Sequence, residues 1–403
     1  MGWFSPSSIA PRSKCVRYPR RVHQRRRNNF DAIRLLAALT VVVGHAWPLT
    51  GTADAPEIGG IRIHHLAVFV FFATSGYLIT QSWMRSPTVR RFLAARALRI
   101  FPALAVVVVL TITVVGPLAT TVPLGAYAQS PVTWGYLQNL SLAAVYELPG
   151  VFTTNPIPVV NGSLWSLGPE FICYLGVMLL GLAFARNAVV RSVLLTLLFV
   201  GIWLSPLGRE TLAPTAMVFF GVGAILASLD RPLAVWPVLP ATTVWLGVHA
   251  LAPDASLALA WLVVPFAVIA VGATSTPLVR RAGRFGDFSY GIYLWAFPVQ
   301  QLVVLNAPGL PLWLDIVIVA AVTAAIAAAS WHLVEKRALA LKPQEPKIAR
   351  TPAVTAAPSS IAKPKTRLRT RITSARTATA AIARASNVTP SGDPNTEDAT
   401  SAG

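Results

Sequence analysis

Charged residues are scarce in this chain of 403 residues, making up 12% of it against 54% for hydrophobic residues. Soluble domains are about 25% charged, so the composition argues against a soluble protein. Acidic residues are the rarer charged class, with 15 Asp and Glu against 34 Lys and Arg. Cysteine is also rare: Cys15 and Cys173 lie on different segments, which predicts neither a disulfide framework nor a metal site.

The sequence contains many long apolar segments. A helix needs about 20 mainly apolar residues to cross a bilayer. The chain has windows of that kind at 30–48, 65–83, 98–118, 164–184, 188–206, 211–229, 232–250, 255–273, 287–305 and 313–335. The window at 232–250 is the weakest, because three prolines interrupt it. The pattern predicts an all-α polytopic membrane protein with about ten transmembrane helices.

Basic residues are divided unevenly between the two sets of loops that ten such helices create. One set, with both tails, holds nearly all Lys and Arg, whereas the other holds only Arg62 and Arg209. The positive-inside rule then places both termini in the cytoplasm, as expected for a bacterial inner membrane protein. The net charge of +19 is therefore attributed to membrane orientation and to contact with anionic lipid, and no nucleic-acid partner is expected.

Composition divides the chain into three parts. Residues 1–27 are rich in Arg and residues 341–403 in Ala, Thr, Ser and Pro, so we expect two disordered tails around one transmembrane domain at 28–340. The first tail does not read as a signal peptide. The helix after it is too long for such a segment and contains Asp31 and Arg34.

The first predicted helix carries ionisable residues on one face. At about 100° per residue, Asp31, Arg34 and His45 fall on one stripe, with Arg34 and His45 about 16 Å apart along the axis. Ionisable groups inside a membrane tend to mark function. The alternatives are that Arg34 extends to the headgroups beside Asp31 and that His45 is a packed structural histidine.

Glu170 lies a few residues inside another predicted span, after Gly168 and Pro169. Proline suits the first turn of a helix, so we expect this helix to begin as a broken segment with polar backbone facing a cavity. A carboxylate at such a break can steer a histidine or simply pair with an arginine.

Arg96 and Arg99 are one turn apart at a cytoplasmic helix end. Arginine binds phosphate through paired hydrogen bonds, so the two residues together can hold a pyrophosphate group. The alternative is ordinary positive-inside anchoring.

Five stretches in order over residues 28–340 resemble the membrane acyltransferase-3 family, which includes bacterial O-antigen and exopolysaccharide O-acetyltransferases. They are FDAIRLLAALTVVVGH with Arg34 and His45, FFATSGYL, the pair Arg96 and Arg99, SLWSLGPE with Glu170, and FSYGIYLWAFP with a closing Glu335. The chain departs from many members at Ala296, where a histidine is usual.

The resemblance implies transfer of an acyl group, usually acetyl, from acyl-CoA to a hydroxyl of a carbohydrate or lipid-linked glycan, without a metal. Arg96 and Arg99 would hold the phosphates of the donor. Arg34 would line a groove leading to His45, which would act as general base or accept the acyl group itself. Glu170 would orient or balance the imidazole.

Two other functions stay open from the sequence. A transporter of a lipid-linked sugar also has broken helices and polar groups at mid-membrane, although the chain has no visible inverted repeat. A non-catalytic assembly partner would use the polar stripe for helix packing only.

Overall fold

The computed structural model describes residues 28–184, 187–209, 211–284 and 286–343, so almost all of both predicted tails lies outside the described residues. The described part is mainly helical, and ten of its helices have 14 residues or more. They are α1 (Phe30–Thr50), α2 (Ile63–Arg85), α3 (Val89–Leu110), α4 (Leu167–Ala183), α5 (Ala188–Leu204), α6 (Ala213–Ser228), α7 (Val238–Leu251), α8 (Pro253–Ala273), α9 (Ser289–Asn306) and α10 (Leu312–Ser330).

Each of the ten apolar windows overlaps one of these helices. Six helical segments of the described chain are long and apolar enough to cross a membrane: Phe30–Thr50, Ile63–Arg85, Val89–Ala119, Gly162–Ala183, Pro253–Ala273 and Leu312–Ala340. The helices α5, α6 and α7 are apolar but shorter, and α9 has 18 residues. A polytopic helical protein is therefore confirmed, and the number of ten spans stays a prediction.

Two of the long segments pass through a π turn. Thr111–Val115 continues α3 into Gly116–Ala119, and Trp331–Glu335 continues α10 into Lys336–Ala340. Such single π turns occur often at functional sites. Here the second one brings Glu335 into the interior, where only 2% of the residue is exposed.

Glycine allows the closest approach between helices, at the packing of α2 on α6. A Cβ on Gly76 would collide with the backbone carbonyl of Phe220, and one on Gly223 with that of Ala73. Small residues at a helix crossing let the two backbones approach closely in this way. The FFATSGYL stretch therefore has a packing role at Gly76.

The connection between α3 and α4 contains short helices at Leu124–Gln129, Pro131–Gly135 and Tyr136–Ser141. A two-stranded hairpin, Glu57–Ile58 with Ile61–Arg62, precedes α2. The short helices thus join α3 to α4, and the hairpin joins α1 to α2.

The start of α4 is broken, as the sequence predicts. A 3₁₀ turn at Gly162–Ser166 leads into α4, with Pro169 and Glu170 in the first turn of the α-helix. The chain before this turn runs along α9: Asn155 and Asn161 donate to the carbonyl groups of Gln301 and Leu294 respectively. Residues 155–166 therefore form a strap against α9.

Candidate active site

Arg34 and His45 lie on the face of α1 that packs between α2 and α9. The guanidinium of Arg34 lies 5.6 Å from the centre of the Phe71 ring of α2, and the His45 ring lies 5.3 Å from the Phe297 ring of α9. The two residues thus contact the same two-helix surface at different depths. The structure does not bring their side chains together, in agreement with their spacing along the helix.

A small cavity of about 30 Å³ lies beside Arg34. Its lining includes the side chains of Phe71, Ser166, Glu170 and Tyr290, contributed by four different segments. A volume of that size accommodates about one water molecule. The Nε atom of Arg34 is buried and has no hydrogen-bond partner among the described residues.

Glu170 is held by two hydroxyl groups. Ser75 donates to its Oε1 atom at 2.7 Å, and Tyr174 donates to the same atom at 2.5 Å. The carboxylate lines the cavity with Arg34, and no described contact joins it to His45. Glu170 thus lies at the depth of Arg34, and the expectation that it orients the His45 imidazole stays a prediction without a described contact behind it.

The neighbour of His45 is another histidine. The ring centres of His45 and His64 are 4.7 Å apart, and those of His64 and His65 are 4.2 Å apart. The Nδ1 atoms of His45 and His64 are both buried and lack a well-formed hydrogen bond within the described chain. The two rings have only looser interactions with backbone carbonyl groups, those of Val41 and Gly44.

Gly44 makes the contact between these histidines possible. A Cβ at this position would lie 2.8 Å from the Cβ of His64 and 2.9 Å from its backbone nitrogen. Real Cβ atoms do not approach other atoms so closely, so only glycine lets the start of α2 reach α1 here. The hairpin before α2 then delivers His64 to the level of His45.

Arg96 and Arg99 face different partners, although they are one turn apart. Arg96 donates to the hydroxyl of Ser82 at 3.2 Å and lies over the rings of Phe92 and Tyr174. Its Nε atom is buried without a hydrogen-bond partner in the part of the chain that the structure describes. Arg96 therefore retains donor capacity for a ligand.

Arg99 is already paired. Its Nη2 atom lies 2.5 Å from Oδ2 of Asp287, just before α9, and its guanidinium lies over the Tyr290 ring. Burial by itself would raise the pKa of Asp287, but the charges of Arg99 and Arg34 and a hydrogen bond from Ser289 hold it well below its usual range. The two arginines thus do not present two free guanidinium groups side by side, as a simple pyrophosphate clamp would require.

A positive potential nevertheless remains at this end of the bundle. The pKa of Lys342, just after the last helical segment, is lowered to about 8 by burial and by the charges of Arg96 and Arg99. Burial is the larger cause, and the part that comes from Arg96 and Arg99 indicates positive charge near Lys342. We call the region of Arg34, Arg96, Arg99, Asp287 and Lys342 the basic end, and its charge suits an anionic ligand.

Several polar residues of the site were given no role from the sequence. Ser75 and Asp287 hold their places through contacts with residues far away in the chain. His64 contacts His45 on the preceding helix, and Tyr174 binds Glu170 one turn away on the same helix. Asp287 carried the clearest signal, an acidic residue within a basic stretch just before a helix. Within the described residues, no three or more His, Cys, Asp or Glu side chains are arranged so that they could hold a metal ion.

Comparison with known proteins identifies the family. Residues 27–334 match the family model described as "Acyltransferase domain". The chain is 31% identical to an O-acetyl transferase of Shigella phage Sf6, over 77% of this chain and 96% of that protein. It is 30% identical to Nodulation protein 10 of Rhizobium leguminosarum bv. viciae, over 78% of this chain and 94% of that one.

No solved structure shows significant similarity to the chain. The family model covers far more than half of the sequence, and it coincides with the helical region that holds Arg34, His45, Arg99 and Glu170. The chain therefore belongs to the acyltransferase-3 family and is an enzyme that transfers acyl groups other than amino-acyl groups.

Proposed function

We propose that this chain is an O-acyltransferase of the bacterial inner membrane, with both termini in the cytoplasm. It moves an acyl group, in the first place acetyl, from acyl-CoA to a hydroxyl of a carbohydrate or glycosylated acceptor. The observation that carries the proposal is the arrangement of α1. Arg34 reaches a cavity at the basic end, and His45 lies on the same face about 16 Å further along.

The basic end would receive the phosphates of acyl-CoA. Arg96 has a buried Nε atom without a partner among the described residues, and its charge acts on Lys342, so it would make the direct phosphate contact. Arg99 would act through Asp287, by holding the start of α9 in place. The long thiol-bearing arm of the donor would then follow α1 past Arg34 toward His45.

His45 would act as general base. As the acceptor oxygen attacks the thioester carbonyl, the imidazole takes the hydroxyl proton, the new C–O bond forms and the C–S bond breaks. The proton then passes from His45 to the sulfur of CoA, which completes the balance. Transfer of the acyl group to His45 itself, followed by transfer to the acceptor, is the other route that this residue allows.

Glu170 would act on Arg34 rather than on His45. Its carboxylate is fixed by Ser75 and Tyr174 and shares a cavity with the guanidinium. In a medium of low polarity, a nearby negative charge lets an arginine stay within the membrane interior. Glu170 is thus a positioning residue in this proposal.

The test is acyl transfer by the purified full chain in lipid vesicles, with labelled acetyl-CoA and glycans isolated from cells that lack the protein. We expect label in the glycan fraction and a mass increase of one acetyl group per modified hydroxyl. A transporter or an assembly partner would bind or move the glycan without consuming acetyl-CoA, which would contradict the proposal.

A further inference from the structure

A second cavity lies at the end of the bundle opposite the basic end. Its volume is about 380 Å³, within the range of small-molecule sites. It is formed where the end of α1, the strap before α4 and the loop between α9 and α10 meet. The polar side chains that line it are Thr50, Thr52, Thr154, Asn155 and Asp315.

We call this second cavity the outer cavity, and its chemistry differs from that of the basic end. Hydroxyl, amide and carboxylate groups line it, and no Lys or Arg occurs among the described residues of its wall. Asp315 is 1% exposed and accepts a hydrogen bond from Gln300 at 2.7 Å, so its position is fixed. Phosphate groups and other anions are therefore disfavoured, and a neutral ligand rich in hydroxyl groups is favoured.

Apolar groups form the rest of the wall. Pro156, Leu305 and Pro308 lie among the polar side chains. A pyranose ring has a face of C–H groups and a rim of hydroxyl groups, so it needs both kinds of contact. The combination fits a sugar better than a purely apolar lipid chain.

The strap connects the outer cavity with His45. Asn155, in the cavity wall, donates to Oε1 of Gln301 at 2.8 Å, and Gln301 lies one turn beyond Phe297 on α9. Gly162 of the strap faces the ring of Phe297, which in turn contacts His45. From Phe297 to Leu305 the helix rises about 12 Å, so the outer cavity lies about two turns beyond His45.

We infer that this outer cavity is the acceptor subsite, and that it holds a neutral sugar unit while a neighbouring hydroxyl of the same glycan reaches His45. The inference rests on the proposed O-acyltransferase function. It adds three statements about the acceptor: where it binds, that the bound sugar unit is uncharged, and that it enters from the end opposite the donor.

The sharpest variant fills the cavity. Thr153 and Thr154 are adjacent and both exposed, but only Thr154 lines the cavity. Thr154→Trp places an indole in the space that the sugar would occupy, and Thr153→Trp is the matched control. A third variant, Asp315→Asn, keeps the size of the side chain and removes its charge.

The experiment uses the full chain in lipid vesicles and saturation-transfer NMR. The probes are neutral methyl glycosides of glucose, galactose, mannose, rhamnose and N-acetylglucosamine, with methyl glucuronide as the anionic counterpart. Binding of acetyl-CoA is measured on the same samples. We expect at least one neutral glycoside to bind the wild type and the Thr153→Trp variant, and to bind the Thr154→Trp variant at least about tenfold more weakly.

Three results would overturn the inference: no neutral glycoside binds the wild type, the two tryptophan variants bind alike, or methyl glucuronide binds as well as its neutral counterpart. Acetyl-CoA binding should be the same in all variants. Its absence from the wild type would instead contradict the proposed function, so the two failures can be told apart.

Discussion

The imidazole rings of His45 and His64 lie 4.7 Å apart, one on α1 and the other at the first turn of α2. A base that must present one nitrogen to a substrate needs its ring held in one orientation. Glu170 was expected to hold it and does not contact it, whereas His64 and Phe297 do. His64 is therefore positioned to fix the orientation of the His45 ring.

His64→Leu should lower kcat by at least about tenfold and leave the KM for acetyl-CoA unchanged, since His64 lies far from the basic end. His64→Gln, which keeps polar groups beside His45, should recover part of the rate. The measurement is steady-state acyl transfer by both variants. Equal rates for the wild type and His64→Leu would remove His64 from the mechanism.

Gly44→Ala should reduce activity through packing alone. The added methyl group has no room against His64, and such overpacking costs roughly 1–3 kcal/mol. The control is Gly201→Ala in α5, where a Cβ meets nothing within 4 Å. We expect a lower melting temperature and rate for Gly44→Ala, and no loss for Gly201→Ala. Similar behaviour of the two variants would show that the close approach of α2 is unimportant.

Helices were predicted well because hydropathy is a local property of the sequence. The broken start of α4 was also predicted, since Pro169 restricts the backbone at its own position. The partners of charged groups were not. Ser75 is 95 residues from Glu170, and Arg99 is 188 residues from Asp287. At such separations no local sequence pattern indicates which residues are partners.

The histidines show the same limit. The spacing of Arg34 and His45 predicted that they share a face and lie at different depths, because both features depend only on helix geometry. The approach of His64 depends on Gly44 and on the hairpin before α2, so the sequence allowed the contact without predicting it.

Arg96→Ala should raise the KM for acetyl-CoA by about tenfold or more, because a charge-assisted hydrogen bond contributes roughly 1.5–3 kcal/mol. Arg96→Lys should restore binding only in part, since lysine lacks the planar fork. Initial rates over a range of acetyl-CoA concentrations measure both effects. Wild-type KM and kcat in Arg96→Ala would contradict donor binding by Arg96 and leave it only a role in membrane orientation.

Arg99→Ala should act mainly on stability. It leaves the Asp287 carboxylate partly buried without its cation, at a cost of roughly 1–3 kcal/mol. The double variant Arg99→Ala with Asp287→Asn should therefore lose less than the sum of the single variants. Thermal unfolding of the four proteins in the same detergent completes the cycle. Strictly additive losses would contradict coupling between the two residues.

The Arg99 and Asp287 pair should not contribute to pH dependence near neutrality. Since the pKa of Asp287 is lowered from 3.8, the stabilisation by the pair is present above that value and is lost only as the pH falls below it. A decline of kcat/KM between about pH 7 and pH 5 must then come from groups other than this pair. We expect Asp287→Asn to leave the midpoint of that decline unchanged, and a shifted midpoint would contradict this assignment.

The most direct test of the whole account is the acyl-transfer rate of His45→Gln, with His332→Gln as the control. Both variants should be folded and bind acetyl-CoA as the wild type does. Loss of a general base lowers the rate roughly 10²–10⁴-fold, so His45→Gln should be almost inactive and His332→Gln fully active. A His45→Gln enzyme that keeps more than about a tenth of the wild-type rate would contradict the central role of His45.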